Sequence, residues 1–195
     1  MSDRTEIVLD IETQNTFQDV GAYKASLLKI SVVGVYFYET DTFESFLEAD
    51  LPKLWPRLER SSRIIGYNLF GFDYPCMQTY YTGNIMSLPT VDLLLEIEKR
   101  LGFRIKLDTV AQATLGMGKS GDGLQAVRFW KEGKIDELKD YCLQDVRVTR
   151  DIYEKALAEK QIQYFDRLGQ KQNIVMPILP AESQEAPKIN LSLGL

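Results

Sequence analysis

Two carboxylates interrupt the first apolar run of the chain, and their spacing constrains everything that follows. Asp10 and Glu12 lie in Ile7-Val8-Leu9-Asp10-Ile11-Glu12-Thr13. The run reads as a β-strand, in which residues two apart share a face. Both carboxylates then project together, and Leu9 and Ile11 point the other way. Two like charges held side by side repel unless a cation lies between them. Hard oxygen ligands of this kind suit Mg²⁺ or Mn²⁺. The ordinary alternative is a strand with one solvated polar face.

Two later segments offer further acidic groups. Tyr141 and Asp145 are four apart in Asp140-Tyr141-Cys142-Leu143-Gln144-Asp145-Val146. On a helix they share a face. Asp145 sits in an otherwise apolar stripe, where an uncompensated carboxylate is costly. A metal or a basic partner relieves that cost, and an ion-paired or capping Asp beside a core Tyr is the plainer reading. Asp73 follows Tyr67-Asn68-Leu69-Phe70-Gly71-Phe72 and precedes Tyr74-Pro75. A helix N-cap is the simple alternative there. The three segments are spread over about 135 residues, so only the fold can bring them together.

Histidine is absent, which excludes His-based general bases, His-containing triads and His-ligated metals. The two cysteines, Cys76 and Cys142, have no paired spacing, so a disulfide framework or zinc site is not expected. The net charge of −5 argues against a simple electrostatic nucleic-acid coat protein. It leaves a metal-dependent nuclease open, because bound cations would neutralise clustered carboxylates. No apolar run approaches the roughly 18–20 residues of a membrane helix, and the first residues lack signal-peptide anatomy. A cytoplasmic protein is the expectation.

The 195 residues suffice for one domain with a sizeable core. Strands are expected at residues 6–11, 29–38 and 42–46, forming an antiparallel meander. A short helix follows Asp50-Leu51-Pro52, weakened by Pro56. Strand candidates lie at Arg63–Tyr67 and Leu88–Val91, with helices near Asp73–Cys76 and from Asp92 to Leu101. Residues 105–133 read as mixed and glycine-punctuated. Ile135 to about Lys160 carries the longest helical periodicity. From residue 166 to 195, Pro177, Pro180 and Pro187 with Ser, Glu and Gln suggest an extended or disordered tail after a domain spanning residues 1–165. The order of elements implies an α/β fold with a mixed sheet flanked by helices.

Taken together, Asp10-x-Glu12, Tyr67-Asn68-x-x-x-Phe72-Asp73-x-Pro75 and Tyr141-x-x-x-Asp145 resemble the three exonuclease motifs of the DnaQ-like, or DEDD, 3′–5′ exonucleases. The second motif has the form seen in family-B polymerase proofreading domains, and the third is the tyrosine type. The resemblance spans about residues 5–157 and extends to YprB-like ribonuclease H-like domains. It implies a ribonuclease H-like fold with a five-stranded mixed sheet. It also implies two divalent ions, Mg²⁺ or Mn²⁺, held by Asp10, Glu12, Asp73 and Asp145, in part through water. Such ions clamp the attacking and leaving oxygens of an in-line displacement. The implied reaction is release of nucleoside 5′-monophosphates from a free, single-stranded 3′ end of DNA or RNA. Tyr141 would position the attacking water and, with an ordinary pKa near 10, is a poor base.

Further residues have two readings each. Asn68 orients a carboxylate or touches substrate. Phe70, Phe72 and Tyr74 stack on a terminal base or pack in the core. Asp92 caps a helix or supports the ligands from behind. Lys119 contacts phosphate or is a solvated loop lysine. Ala113 to Ser120 superficially resembles a phosphate-binding loop, but the first required glycine is Ala113 and no strong strand precedes it. Trp55 and Trp130 are expected to pack. Two other functions compete with the exonuclease. One is a non-catalytic nucleic-acid-binding domain that has kept the fold. The other is an accessory module docked to a polymerase or helicase, with the tail as tether.

Overall fold

The computed structural model describes residues 4–117 and 124–178. Strand β1 (Glu6–Thr13) pairs antiparallel with β2 (Ile30–Phe37), and β2 pairs antiparallel with β3 (Thr42–Leu47). On its other edge β1 pairs parallel with β4 (Arg63–Gly66), which pairs parallel with β5 (Thr90–Asp92). The sheet order is therefore β3-β2-β1-β4-β5, the expected five-stranded mixed sheet. Every residue of β2 is buried, and, Ser31 and Gly34 apart, its residues are β-branched or aromatic, as suits a strand with helices against both faces.

Alternation along β1 sorts its side chains. Ile7, Leu9 and Ile11 join one apolar cluster, whereas Val8 joins a second on the opposite face. The first cluster is closed by α2 (Leu51–Arg60), through buried Leu51, Leu54 and Leu58. Each such burial contributes about 1.5–3 kcal/mol, which explains why α2 continues through Pro56. A short turn, α1 (Phe17–Val20), is closed by a capping box between Thr16 and Asp19. Helix α3 (Tyr74–Met77) buries Tyr74, Cys76 and Met77 in the same cluster.

The opposite face is covered by α4 (Leu93–Leu101), α5 (Leu107–Leu115), α6 (Leu124–Lys131) and the long α7 (Ile135–Glu159). Helices α5 and α6 occupy the stretch expected to be mixed loop. Their apolar positions are short stripes, and glycines bound them; Gly116, at φ +72°, closes α5 in a left-handed cap. The helical end of α5 at Ala113–Leu115 is also where the phosphate-loop resemblance begins, in place of the strand such a loop requires. Gly118, Lys119 and Ser120 lie outside the described residues.

Helix α7 crosses β1 and β2 closely at one point. Gly34 stands opposite Asp10 in the ladder. A Cβ at Gly34 would lie 2.8 Å from Cys142 Sγ and 3.0 Å from Val146 Cγ2. Further along the helix, Tyr153 donates a hydrogen bond to the buried carboxylate of Glu6 at 2.6 Å. Arg63 donates to the Tyr153 hydroxyl at 2.9 Å, and Arg4 pairs with Glu6 and Glu154. Helix α7 is thus fixed at both ends of its contact with the sheet.

The expected extended tail from residue 166 is corrected for residues up to Ile178. Strands β6 (Gln161–Phe165) and β7 (Lys171–Val175) form an antiparallel hairpin. Ile162, Ile174, Met176 and Ile178 are buried in the second cluster. The Thr114 hydroxyl donates to Gln163 O at 2.9 Å and accepts from Gln163 N at 2.8 Å, docking the hairpin on α5. Polar residues between the apolar ones hid this period-two pattern behind the composition of the segment. Residues 179–195 lie outside the described residues. Among the described residues, no helix is long and apolar enough to cross a membrane.

Replacing Gly34 with Val should overpack the crossing of α7 and cost about 1–3 kcal/mol, read as a lower midpoint in urea denaturation. An unchanged midpoint would show that α7 shifts away without penalty.

Candidate metal centre

The face of β1 that bears Asp10 and Glu12 is the face on which α7 lies. Cys142 and Val146, which stand three residues before and one residue after Asp145 on the helix, pack over Gly34. The result is convergence. Carboxylate oxygens of Asp10, Glu12 and Asp145 lie within 4.8 Å of one another. The Cys142 thiol points at the same place, 3.5 Å from the Asp10 carbonyl oxygen and 3.8 Å from its Oδ2. Burial and the charges of Asp10 and Glu12 keep that thiol protonated.

Asp73 approaches from the other side of β1. After β4, Asn68 adopts a left-handed conformation (φ 73°, ψ 29°), and Leu69–Asp73 form a π-helical turn before α3. Such turns are frequent at functional sites. Asp73 has helical φ and ψ and its side chain makes no cap hydrogen bond, so the N-cap alternative fails. Its carboxylate is buried against β1, hydrogen-bonded to the backbone of Asp73 itself and of Ile11. Asp73 lies outside the triplet that falls within 4.8 Å, yet its charge raises the pKa of both Asp10 and Glu12.

Electrostatics agree with that crowding. Burial first, then Asp73, Asp145 and Glu12, hold the Asp10 carboxyl well above the ordinary range. Burial, Asp145 and Asp73 do the same to Glu12. Burial pushes Asp73 up to about 8, with Asp92 adding and the two backbone hydrogen bonds opposing. The Tyr141 hydroxyl is also raised, by burial and then by Glu12, Asp145 and Asp10. Its ring meets Phe129 edge-on at 6.4 Å. Oxygen donors this close, with burial and like charge penalising the ionised forms of Asp10 and Glu12, fit a hard divalent cation.

Asp92 does more than cap α4. It accepts from Leu94 N at 3.0 Å and Leu95 N at 3.4 Å. It also accepts from Asn68 N at 2.8 Å and Phe70 N at 3.2 Å. One buried carboxylate thereby holds both the end of β5 and the turn that delivers Asp73. The capping expectation was correct, but nothing in the spacing from Asn68 to Asp92 announced the second attachment.

Beside Asp10 opens a cleft of ≈760 Å³, walled by Phe17, Tyr23, Phe72, Arg104 and Lys106. Phe72 meets Phe17 edge-on at 6.1 Å. Phe70 packs on Tyr74, which is fully buried, with its hydroxyl 2.7 Å from Thr90 Oγ1. Of the three aromatic residues, only Phe72 faces the cleft. Asn68 lines it too, but its side-chain oxygen accepts from Arg104 rather than meeting the carboxylates. Tyr67 donates to Ile105 O at 2.7 Å, tying the two walls together. Phe17, Tyr23, Arg104 and Lys106 were not singled out from the sequence, because each sits in a segment without distinctive spacing. Trp55 and Trp130 pack at the edges of the core as expected.

Residues 7–157 match the family model described as RNase_H superfamily. No curated protein matches in sequence. Among solved structures, the chain is similar to the family B DNA polymerase from the hyperthermophilic archaeon Pyrobaculum calidifontis, at 19% identity and a TM-score of 0.58. The similarity covers 77% of this chain and 24% of that polymerase.

Unfolded carboxyls ionise near pH 4, whereas Asp10, Glu12 and Asp73 retain protons to higher pH in the folded chain. Between those limits the folded state binds more protons, so stability falls as pH rises. For the metal-free protein, Tm should therefore drop from pH 5 to pH 8, and millimolar Mn²⁺ should recover it mainly at the upper end. In Asp10→Asn both the slope and the Mn²⁺ response should shrink. A Tm that is flat in pH and indifferent to Mn²⁺ would refute this electrostatic description.

Proposed function

Because the chain belongs to the RNase H superfamily, we propose that it is a divalent-metal-dependent 3′–5′ exonuclease of the tyrosine-type DEDD group. Its substrate is single-stranded DNA or RNA and its product nucleoside 5′-monophosphates. The observation that carries this reading is the meeting of Asp10, Glu12 and Asp145 at the edge of a cleft with aromatic and cationic walls. Asp10, Glu12 and Asp145, with Asp73, would hold Mg²⁺ or Mn²⁺. Two such ions, when bound, neutralise phosphate charge and make water a stronger nucleophile.

The chain's own groups then have distinct tasks. Tyr141, kept protonated by burial and its acidic neighbours, hydrogen-bonds the attacking water and orients it; it does not act as the base. Phe72, beside Phe17, offers a surface for the terminal base. Arg104, steadied by the Asn68 side chain, and Lys106 meet phosphate oxygens. In the displacement the water oxygen bonds to phosphorus, the bond from phosphorus to the 3′ oxygen breaks, and the shortened strand leaves with a 3′ hydroxyl.

A 5′-labelled single strand should give a ladder shortening from its 3′ end with Mg²⁺ or Mn²⁺ and none with EDTA. Asp10→Ala or Asp145→Ala should slow cleavage by roughly 10²–10³-fold, as when one electrostatic stabiliser is removed. Internal cuts, or full activity in either variant, would overturn the assignment. Tyr141→Phe should lose roughly 10- to 100-fold in single-turnover rate, as expected for one hydrogen bond in the transition state, with Mn²⁺ affinity unchanged. An unaltered rate would remove the hydroxyl from the mechanism.

A further inference from the structure

We propose that a second cleft, between the β6–β7 hairpin and the α4–α5 connection, binds the single-stranded polynucleotide upstream of its 3′ end. The proposal rests on the exonuclease reading for the direction of the strand. The second cleft, ≈660 Å³, shares Arg104, Ile105 and Lys106 with the cleft beside the carboxylates. The two clefts therefore adjoin across one cationic ridge. A strand whose end lies at Asp10 has a continuous course over that ridge.

The far cleft has the chemistry for such a course. Phe103 is half exposed, with Tyr164 edge-on to it at 6.2 Å. Aromatic faces of this kind take bases without regard to sequence. Arg167 adds a third cation to Arg104 and Lys106 in the same lining, and a positively charged groove of this kind tracks a nucleic-acid backbone. The one acid in the lining, Asp166, is turned into the hairpin. It accepts from Leu168 N and Gln170 N, both at 2.9 Å, and from Gln172 Nε2 at 2.8 Å. Leu168, at the hairpin tip, is 83% exposed. The wall is held in place by the paired Thr114–Gln163 hydrogen bonds and by buried Ile162 and Ile174. In a chain of net charge −5, cations and bare rings gathered along one path fit a polyanion with exposed bases. Apolar protein partners would not need the ridge.

The test uses the full chain and 5′-fluorescein oligothymidylates of four and twelve nucleotides, read by anisotropy in EDTA. The dodecamer, long enough for both clefts, should bind about tenfold or more tightly than the tetramer. Phe103→Ala and Arg167→Glu, both at exposed positions, should close that gap while leaving tetramer affinity unchanged. Circular dichroism checks that the hairpin persists. No binding of either oligonucleotide, equal affinity for the two, or a gap that survives both substitutions overturns the proposal. Cleavage with Mn²⁺ is measured in parallel. A chain that cuts neither oligonucleotide but keeps a Phe103- and Arg167-dependent gap refutes the nuclease reading and leaves the binding path standing.

Discussion

The close crossing of α7 over the sheet at Gly34 is the contact on which the centre depends. It sets the distance between a helix and a strand whose facing residues include three carboxylates. Were the helix held off by an ordinary side chain, Asp145 would stand further from Asp10 and Glu12, and the part of their raised pKa values that its charge supplies would fade. The apolar stripe of α7, from Leu138 to Ala156, draws the helix down. The buried Glu6 with Tyr153, Arg63 and Arg4 fixes its far half. Hydrophobic burial thus does mechanical work against charge repulsion, and the repulsion is concentrated where a cation would relieve it.

The opposite wall is built by different means. Asp73 arrives on a left-handed residue and a π-helical turn, conformations that local propensity does not favour. Buried Leu69 anchors the turn in the first cluster, and hydrogen bonding fixes its backbone: Asp92 accepts the amides of Asn68 and Phe70. The centre is therefore assembled from one side by packing and from the other by packing joined to a buried anion.

Much of this was legible before folding because two periodicities are strong. Alternation in β1 separates Asp10 and Glu12 from Leu9 and Ile11, and the 3.6-residue stripe of α7 places Tyr141 and Asp145 on one surface. Those patterns are local, so a linear reading finds them. The cleft walls are not local. Arg104 and Lys106 gain their meaning from lying across from Phe17 and Phe72, which no spacing encodes. The hairpin was missed for a different reason. Its alternation, Ile162 and Tyr164 against Ile174 and Met176, is diluted by Gln161, Gln163, Gln172 and Asn173, and the prolines beyond it weigh toward an unstructured tail. Helices α5 and α6 are short and lie between glycines, where composition outweighs periodicity.

Asp92 has a consequence for how the chain breathes. The amides of Asn68, Phe70, Leu94 and Leu95 all donate to its carboxylate, and the residue is 3% exposed. Any motion that withdraws this carboxylate removes the acceptor from all four amides at once. These amides, from segments more than twenty positions apart in the chain, should exchange with deuterium as one cooperative unit. The turn bearing Asp73 would then open only together with the first turn of α4.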